Sequence, residues 1–353
     1  MRWGEVEVRY PAPVGVGGHV RVISPSWPIL FHAPQRADRA EEVLRRLGLR
    51  VSYGAHVREI TDDGVSAGTA QQRAADFMDA FTDPSVDIVF SAYGGETAHE
   101  LLPHLDARLL RDADKAFVGN SDNVWLHQYL LQEAGLTSYY GCTYAGEMGE
   151  FGGPFPEALD GLRRALMSAE DLVCAPVARR SNELHGMLRR ESEQRLRTLN
   201  ADGGWQWLRP GRGCGPLVGA ELSVLIAMVD QFDLKLDGCV LFWDDCVSLS
   251  VLRTSDPQAR LADLEDKLGG LAARGLLDGL AGMMVGPHKQ HTPPGWAAAL
   301  DEVLHAVLPT ATYPVVVNAD IGHIDPKWVV PYGRDVVLDS SRGVVFPRQR
   351  ASG

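Results

Sequence analysis

The feature that most constrains the fold of this chain is an alternation. From residue 20 onward, short β-branched runs trade places with amphipathic segments: HVRVIS, then ADRAEEVLRRLG, VSYG, QQRAADFMDAF and VDIVFSA. Apolar residues recur at helical spacing in the longer segments and crowd together in the shorter ones, which predicts a parallel sheet with helices packed on its faces. The pattern continues through KAFVG, the helix NVWLHQYLLQEAG and the strand-like TSYYG.

A first α/β domain is therefore expected over 1–150. Over 151–210 the chain turns Gly- and Pro-rich (EFGGPFPEALDG) and then strongly charged (ARRSNELHGMLRRESEQRLR) without a strand signal, as in a partly helical connecting segment. A second α/β block is expected over 211–340. It opens with the buried-helix pattern GPLVGAELSVLIAMVDQF and alternates GCVLFW, LAGMMVG and YPVVVN with the helical ARLADLEDKLGGLAARG and WAAALDEVLHAVL. Residues 341–353 read as a tail. A chain of 353 residues, 45% hydrophobic, is long enough to bury two ordinary cores.

The charge balance narrows the partners. With 34 basic and 46 acidic residues the net charge is −12, which disfavours nucleic acid or an anionic membrane surface and favours a small molecule or peptide. The opening MRWGEVEVRYPAPVG has scattered charges and no apolar core of the kind a secretory signal needs, and no later run is long enough to span a membrane. The five cysteines, Cys142, Cys174, Cys214, Cys239 and Cys246, include no CxxC pair and read as reduced thiols in a cytoplasmic protein.

Four segments carry residues suited to chemistry. In DIVFSAYGGETAHELLPHLD a buried strand runs into Gly94-Gly95, followed by Glu96. Glycines at a strand-to-helix junction let backbone N–H groups face an anion or oxyanion, and they equally suit a tight turn. FVGNSDNVWLHQ has the same grammar, with Ser121 between strand and helix as a nucleophile elbow requires. The second glycine of GxSxG is missing, although Asn120 and Asn123 tolerate left-handed geometry. Ser121 and Asp122 also suit a helix cap.

The third segment, VVVNADIGHIDPKWVVPYG, places His323 in a loop after an apolar strand, where parallel sheets present functional side chains. In the fourth, GCVLFWDDCVS, a buried strand ends in Asp244-Asp245, of which one at most faces a given histidine. His288 and His291 form an H-x-x-H, but their loop lacks the zincin helix and glutamate, so no metal site is expected. Trp205 and Trp207 in GGWQWLRPG suit stacking on a base or packing of a loop.

Taken in order, SAYGGETAHELLPHLD, VGNSDNVWLHQYL, VLFWDDC and IGHIDPKWVVPYG resemble the LD-carboxypeptidase family of serine peptidases, and within it the microcin C self-immunity branch. ISPSWP and TSYYG extend the likeness over roughly residues 15–335. The resemblance implies Ser121 as nucleophile, His323 as base, Asp244 as orienting acid, and the Gly95 and Asp122 N–H groups as oxyanion donors. Gly94, Glu96, Asn120, Asp245, Trp205 and Trp207 become candidate substrate contacts. It further implies an N-terminal doubly wound parallel-sheet domain and a smaller C-terminal α/β domain closing into a distorted barrel. The active site would lie in the cleft, without metal or organic cofactor, and the family commonly forms homodimers.

Two residues depart from the family pattern: the usual acid is Glu where Asp244 stands, and the residue before the serine is usually aromatic where Asn120 stands. Three activities follow as expectations. One is hydrolysis of an amide in a small peptide or aminoacyl-nucleotide, for self-immunity; another is cleavage of a cytoplasmic muropeptide in wall recycling. The third, prompted by the missing glutamate, is non-catalytic binding on the same fold.

Overall fold

In a computed structural model of the chain, residues 2–3, 6–181, 183, 192–201, 204–246, 257–287 and 295–348 are described. The chain divides into two compact units. The first comprises Met1–Glu170, Glu183–Thr198 and Pro326–Gly333; the second comprises Asp171–Asn182, Leu199–Asp325 and Arg334–Gly353.

The first unit contains β1 (His19–Ile23), α1 (Pro34–Arg46), β2 (Arg50–Tyr53), α2 (Ala70–Thr82), β3 (Ile88–Ser91), β4 (Ala116–Gly119), α3 (Val124–Ala134), β5 (Ser138–Tyr140) and α4 (Pro156–Met167). The parallel strands lie in the order β2-β1-β3-β4-β5, and a returning strand, Val330–Tyr332, pairs antiparallel with β5. Alternate residues of each strand reach opposite faces. Val20, Val22, Ile88, Phe90, Ala116 and Val118 join Ala37, Ala40 and Leu44 of α1 and Leu162 of α4 in one core. Val89 and Phe117 join Phe77 and Phe81 of α2 and Leu126 and Leu130 of α3 in the other. Helices thus cover both faces, which is why the central strands read as continuous apolar runs. Strand order reverses between β1 and β3, so the carboxyl ends of these strands flank a topological switch point, where such sheets bind ligands.

The second unit contains β6 (Leu172–Cys174), β7 (Gln206–Arg209), β8 (Arg212–Glu221), α5 (Leu222–Phe232), β9 (Val240–Asp244), α6 (Pro257–Ala273), β10 (Gly282–Val285), α7 (Trp296–Val307), β11 (Val315–Val317), β12 (Asp335–Asp339) and β13 (Gly343–Phe346). Its eight-stranded sheet runs β7-β11-β10-β9-β8-β12-β13-β6. The four strands β11, β10, β9 and β8 are parallel and linked through α5, α6 and α7. β8 serves two ladders: Arg212–Pro216 pairs antiparallel with β12, and Leu217–Glu221 pairs parallel with β9.

These limits differ from those expected at 150, 210 and 340. The stretch expected to be a strandless connector contributes α4 to the first core through Ala158, Leu162, Ala165 and Leu166, and β6 and β7 to the second sheet. The expected tail begins with β13. Strands of three or four residues set among charges show too little periodicity to be recognised before their partners are known.

Candidate active site

In the first unit the carboxyl ends of β1, β3 and β4 bring three loops together. Ser121 follows β4 with φ 61°, a left-handed backbone that costs a residue with a Cβ about 1–2 kcal/mol. Sequence reasoning assigned such geometry to Asn120 or Asn123. Asn120 is instead extended and Asn123 right-handed, so the strain sits on the serine itself. Gly94 makes room for it, since a Cβ there would stand 2.7 Å from Ser121 Cβ and 3.3 Å from its Oγ.

Asp122 is buried and locks the elbow to its neighbours. Its Oδ2 accepts the Ser26 hydroxyl at 2.6 Å and the Ala98 N–H at 3.1 Å. Burial pushes its pKa up, and the Ser26 hydrogen bond opposes that rise. Ser26 Oγ also accepts the Thr97 N–H at 3.0 Å, and Arg73 holds Pro25 O at 2.7 Å and Thr97 O at 3.0 Å. A Cβ on Gly95 would lie 2.2 Å from Ser26 Oγ, so the loop at Gly95 packs directly on this cluster. Ser26 and Arg73 were not singled out in the sequence. Ser26 lies in ISPSWP and Arg73 in the helix QQRAADFMDAF, where neither stands out from its neighbours.

In the second unit, His323 and Asp244 meet at the carboxyl ends of β9 and β11. Asp244 is the last residue of β9 and is 1% exposed. Its Oδ2 accepts from His323 Nδ1 at 2.7 Å and from the His323 backbone N–H at 3.1 Å. With Nδ1 as donor to the carboxylate, the neutral ring carries its unprotonated nitrogen at Nε2. Gly322, at φ 89°, permits this approach: a Cβ there would be 2.5 Å from Asp244 Cγ. Asp245 turns elsewhere, 3.8 Å from Lys267 Nζ, which bonds Asp263 at 2.7 Å. Of the two adjacent acids, Asp244 faces the histidine.

The root of the histidine loop is fixed by a residue sequence reasoning missed. Asp320 is fully buried; its Oδ1 accepts Arg180 Nε at 2.7 Å, and its Oδ2 accepts the Trp205 indole N–H at 2.9 Å and the Val177 N–H at 3.0 Å. Burial raises its pKa and Arg180 opposes that shift. Trp205 is thereby tied into the scaffold, and Trp207 lies half-buried in β7, paired with Val316 of β11. Glu96 is exposed beside Gly95. Glu221 closes β8 next to Asp244 and caps α5 through the Ser223 and Val224 N–H groups at 2.9 and 3.1 Å. Burial first and the Asp244 charge second push it up to about 7. His288 and His291 lie outside the described residues. Among the described residues no His, Cys, Asp and Glu group is arranged to hold a metal ion, and no helix is long and apolar enough to cross a membrane. Among the described residues the five cysteines form no disulfide.

The class follows from two matches. The model of the LD-carboxypeptidase N-terminal domain covers residues 20–141 and that of the C-terminal domain residues 214–338, on an α/β chain, so this is a serine-type hydrolase. It belongs to the LD-carboxypeptidase family. A probable murein peptide carboxypeptidase of Bacillus subtilis is 26% identical, the match covering 94% of this chain and 92% of that protein. The microcin C7 self-immunity protein MccF of Escherichia coli is 23% identical, over 93% of this chain and 92% of MccF. The crystal structure of an MccF-like protein from Bacillus anthracis superposes with TM-score 0.84 at 23% identity, covering 97% of this chain and all of that one. MccF solved with aspartyl sulfamoyl adenosine gives 0.81 at 23% identity, with 96% and 98% covered. Family membership favours the hydrolase over the non-catalytic binding protein.

Proposed function

We propose that this chain is a serine amidase of the self-immunity type, cutting an amide in an aminoacyl or peptidyl nucleotide. The observation that carries the reading is the His323–Asp244 pair at 2.7 Å, a base already oriented by a buried acid. Ser121 Oγ attacks the carbonyl as His323 takes its proton, and the Gly95 and Asp122 N–H groups stabilise the oxyanion. His323 then protonates the leaving amine and activates water to release the acyl group. No metal or organic cofactor enters the scheme, and the enzyme acts in the cytoplasm as a homodimer. Likeness of fold to MccF, which has been solved holding aminoacyl sulfamoyl nucleotides, supports the substrate class.

A second reading, cleavage of a murein peptide, is favoured by the Bacillus subtilis relative. A mass-spectrometric time course decides between them, using the purified chain and Ser121→Ala on muropeptide tetrapeptides and aminoacyl-sulfamoyl nucleotides. Cleavage of the nucleotides by the parent alone supports the proposal. Cleavage of only the muropeptides replaces it with the second reading, and equal cleavage by Ser121→Ala removes Ser121 as nucleophile.

A further inference from the structure

Glu221 and Asp244 are direct partners in the parallel ladder of β8 and β9, each the last residue of its strand. Directly paired residues on neighbouring strands send their side chains to the same face, so two carboxylates stand together at the end of the sheet. Asp244 Oδ2 accepts both the backbone N–H and Nδ1 of His323. Ionising a second carboxylate beside it is strongly unfavourable.

Other charges face the same spot. His323 and Asp245 act on Glu221, and Glu221 in turn acts on Lys267 of α6, which lies 3.8 Å from Asp245. Burial, and next Asp244, raise Glu221 to about 7, while its bonds to the first turn of α5 and the His323 charge pull the other way. Asp244 Oδ1 adds an independent observation: it is buried and meets no donor among the described residues. A protonated Glu221 is a hydrogen-bond donor on the neighbouring strand, paired with Asp244 in the ladder.

We propose that Glu221 is a positioning residue for the Asp244–His323 pair: it retains the proton that leaves Asp244 ionised opposite His323, and its ionisation is coupled to that of the imidazole. The inference rests on reading Asp244 and His323 as the catalytic acid and base, but its test needs no substrate. When Glu221 ionises, the added negative charge favours imidazolium, so the two groups titrate as a pair with shared apparent pKa values.

The experiment is an NMR titration of the His323 ring in the full chain, its Glu221→Gln variant and its Glu221→Asp variant, each first checked for a cooperative thermal transition. Gln keeps the carbonyl that caps α5 and removes the charge. The His323 midpoint is expected to fall by about one pH unit in Glu221→Gln, the size set by one charge a few ångströms away in partly buried surroundings, and to stay near the parent in Glu221→Asp. Coincident parent and Glu221→Gln curves overturn the proposal. Should Glu221→Gln fail to fold, the parent's Glu221 carboxyl is followed by carbon-detected titration. A midpoint near neutrality supports the coupling, and one in the ordinary range of about 4 overturns it. Failure of the proposed activity with the coupling intact would count against the substrate and not against Glu221.

Discussion

One oxygen of Asp244 holds His323 twice: Oδ2 lies 2.7 Å from the ring Nδ1 and 3.1 Å from the backbone N–H of the same residue. The double contact draws the loop down onto a carboxylate one methylene shorter than the family's glutamate, and Gly322 is what allows so close an approach. Under the proposed mechanism, Asp244→Asn removes the negative charge and offers an amide donor that favours the wrong His323 tautomer, lowering turnover by about 10³–10⁴-fold. Asp244→Glu does not improve the enzyme. Gly322 and Gly286 pack closely on Asp244, since a Cβ on the first would lie 2.5 Å from Asp244 Cγ and one on the second 2.9 Å from Asp244 Cβ, so an added methylene is expected to push on the histidine loop. The expected result is displacement of His323 and a fall in kcat/KM of about 10–100-fold. Steady-state kinetics of the two variants on the substrate cleaved by the parent check both figures, and a gain in Asp244→Glu would defeat the argument.

Ser121 stores strain that glycine would not. Its φ of 61° is unfavourable for any residue with a Cβ, so Ser121→Gly relieves strain that Ser121→Ala keeps. After allowance for the extra freedom of glycine in the unfolded chain, Ser121→Gly is expected to be about 0.5–1 kcal/mol more stable than Ser121→Ala. Both are expected to be inactive. Urea unfolding measures the difference, and equal midpoints would mean that the left-handed backbone carries no cost.

Gly94 presses on the serine. An alanine there would need its Cβ to sit 2.7 Å from Ser121 Cβ, closer than real Cβ atoms approach their neighbours. Either the elbow or the loop after β3 must shift. Gly94→Ala is therefore expected to lower kcat/KM about 10²-fold with a stability loss of about 1–3 kcal/mol. Paired kinetics and thermal unfolding test this; unchanged kinetics would show that the serine is not held in contact with Gly94.

Much of the fold and site is legible in the sequence, for identifiable reasons. Strands β3, β4, β9, β10 and β11 are buried along their length and announce themselves as apolar runs, and Ser121, Asp244 and His323 stand at the ends of such runs or just beyond them. What escapes notice depends on long-range contacts. Arg180 and Trp205 reach Asp320 across 140 and 115 residues, and Ser26 reaches Asp122 across 96. Glu221 ends an apolar strand as Asp244 does, yet in the sequence it reads only as the start of a buried helix. Its proximity to Asp244 exists only in the ladder. The left-handed residue is misplaced by sequence reasoning because propensity favours Asn, whereas the fold imposes the conformation on the serine.

His127 supplies a test that reaches the site through stability. It is fully buried on α3, with Nδ1 2.7 Å from Ser138 Oγ and Nε2 3.3 Å from Gly119 O, and its ring stacks on Tyr332. Because a carbonyl only accepts, Nε2 carries the proton and the Ser138 hydroxyl donates to Nδ1. Burial drives its pKa down from 6.5 to about 3. The unfolded chain binds a proton below about 6.5 that the folded chain refuses until about 3, so stability is intact above that window and drains away as pH falls through it. The slope is at most about 1.4 kcal/mol per pH unit and the total on the order of a few kcal/mol. His127→Gln keeps a donor and an acceptor but cannot titrate. Urea unfolding between pH 7 and pH 4 is expected to show the parent losing more stability than the variant, so the gap between them narrows with acid. A gap independent of pH would mean that His127 takes up its proton as readily in the folded protein as in the unfolded one. Gly119 is the residue before Asn120 and Ser121, so this buried ring ties α3 to the strand that leads into the candidate serine.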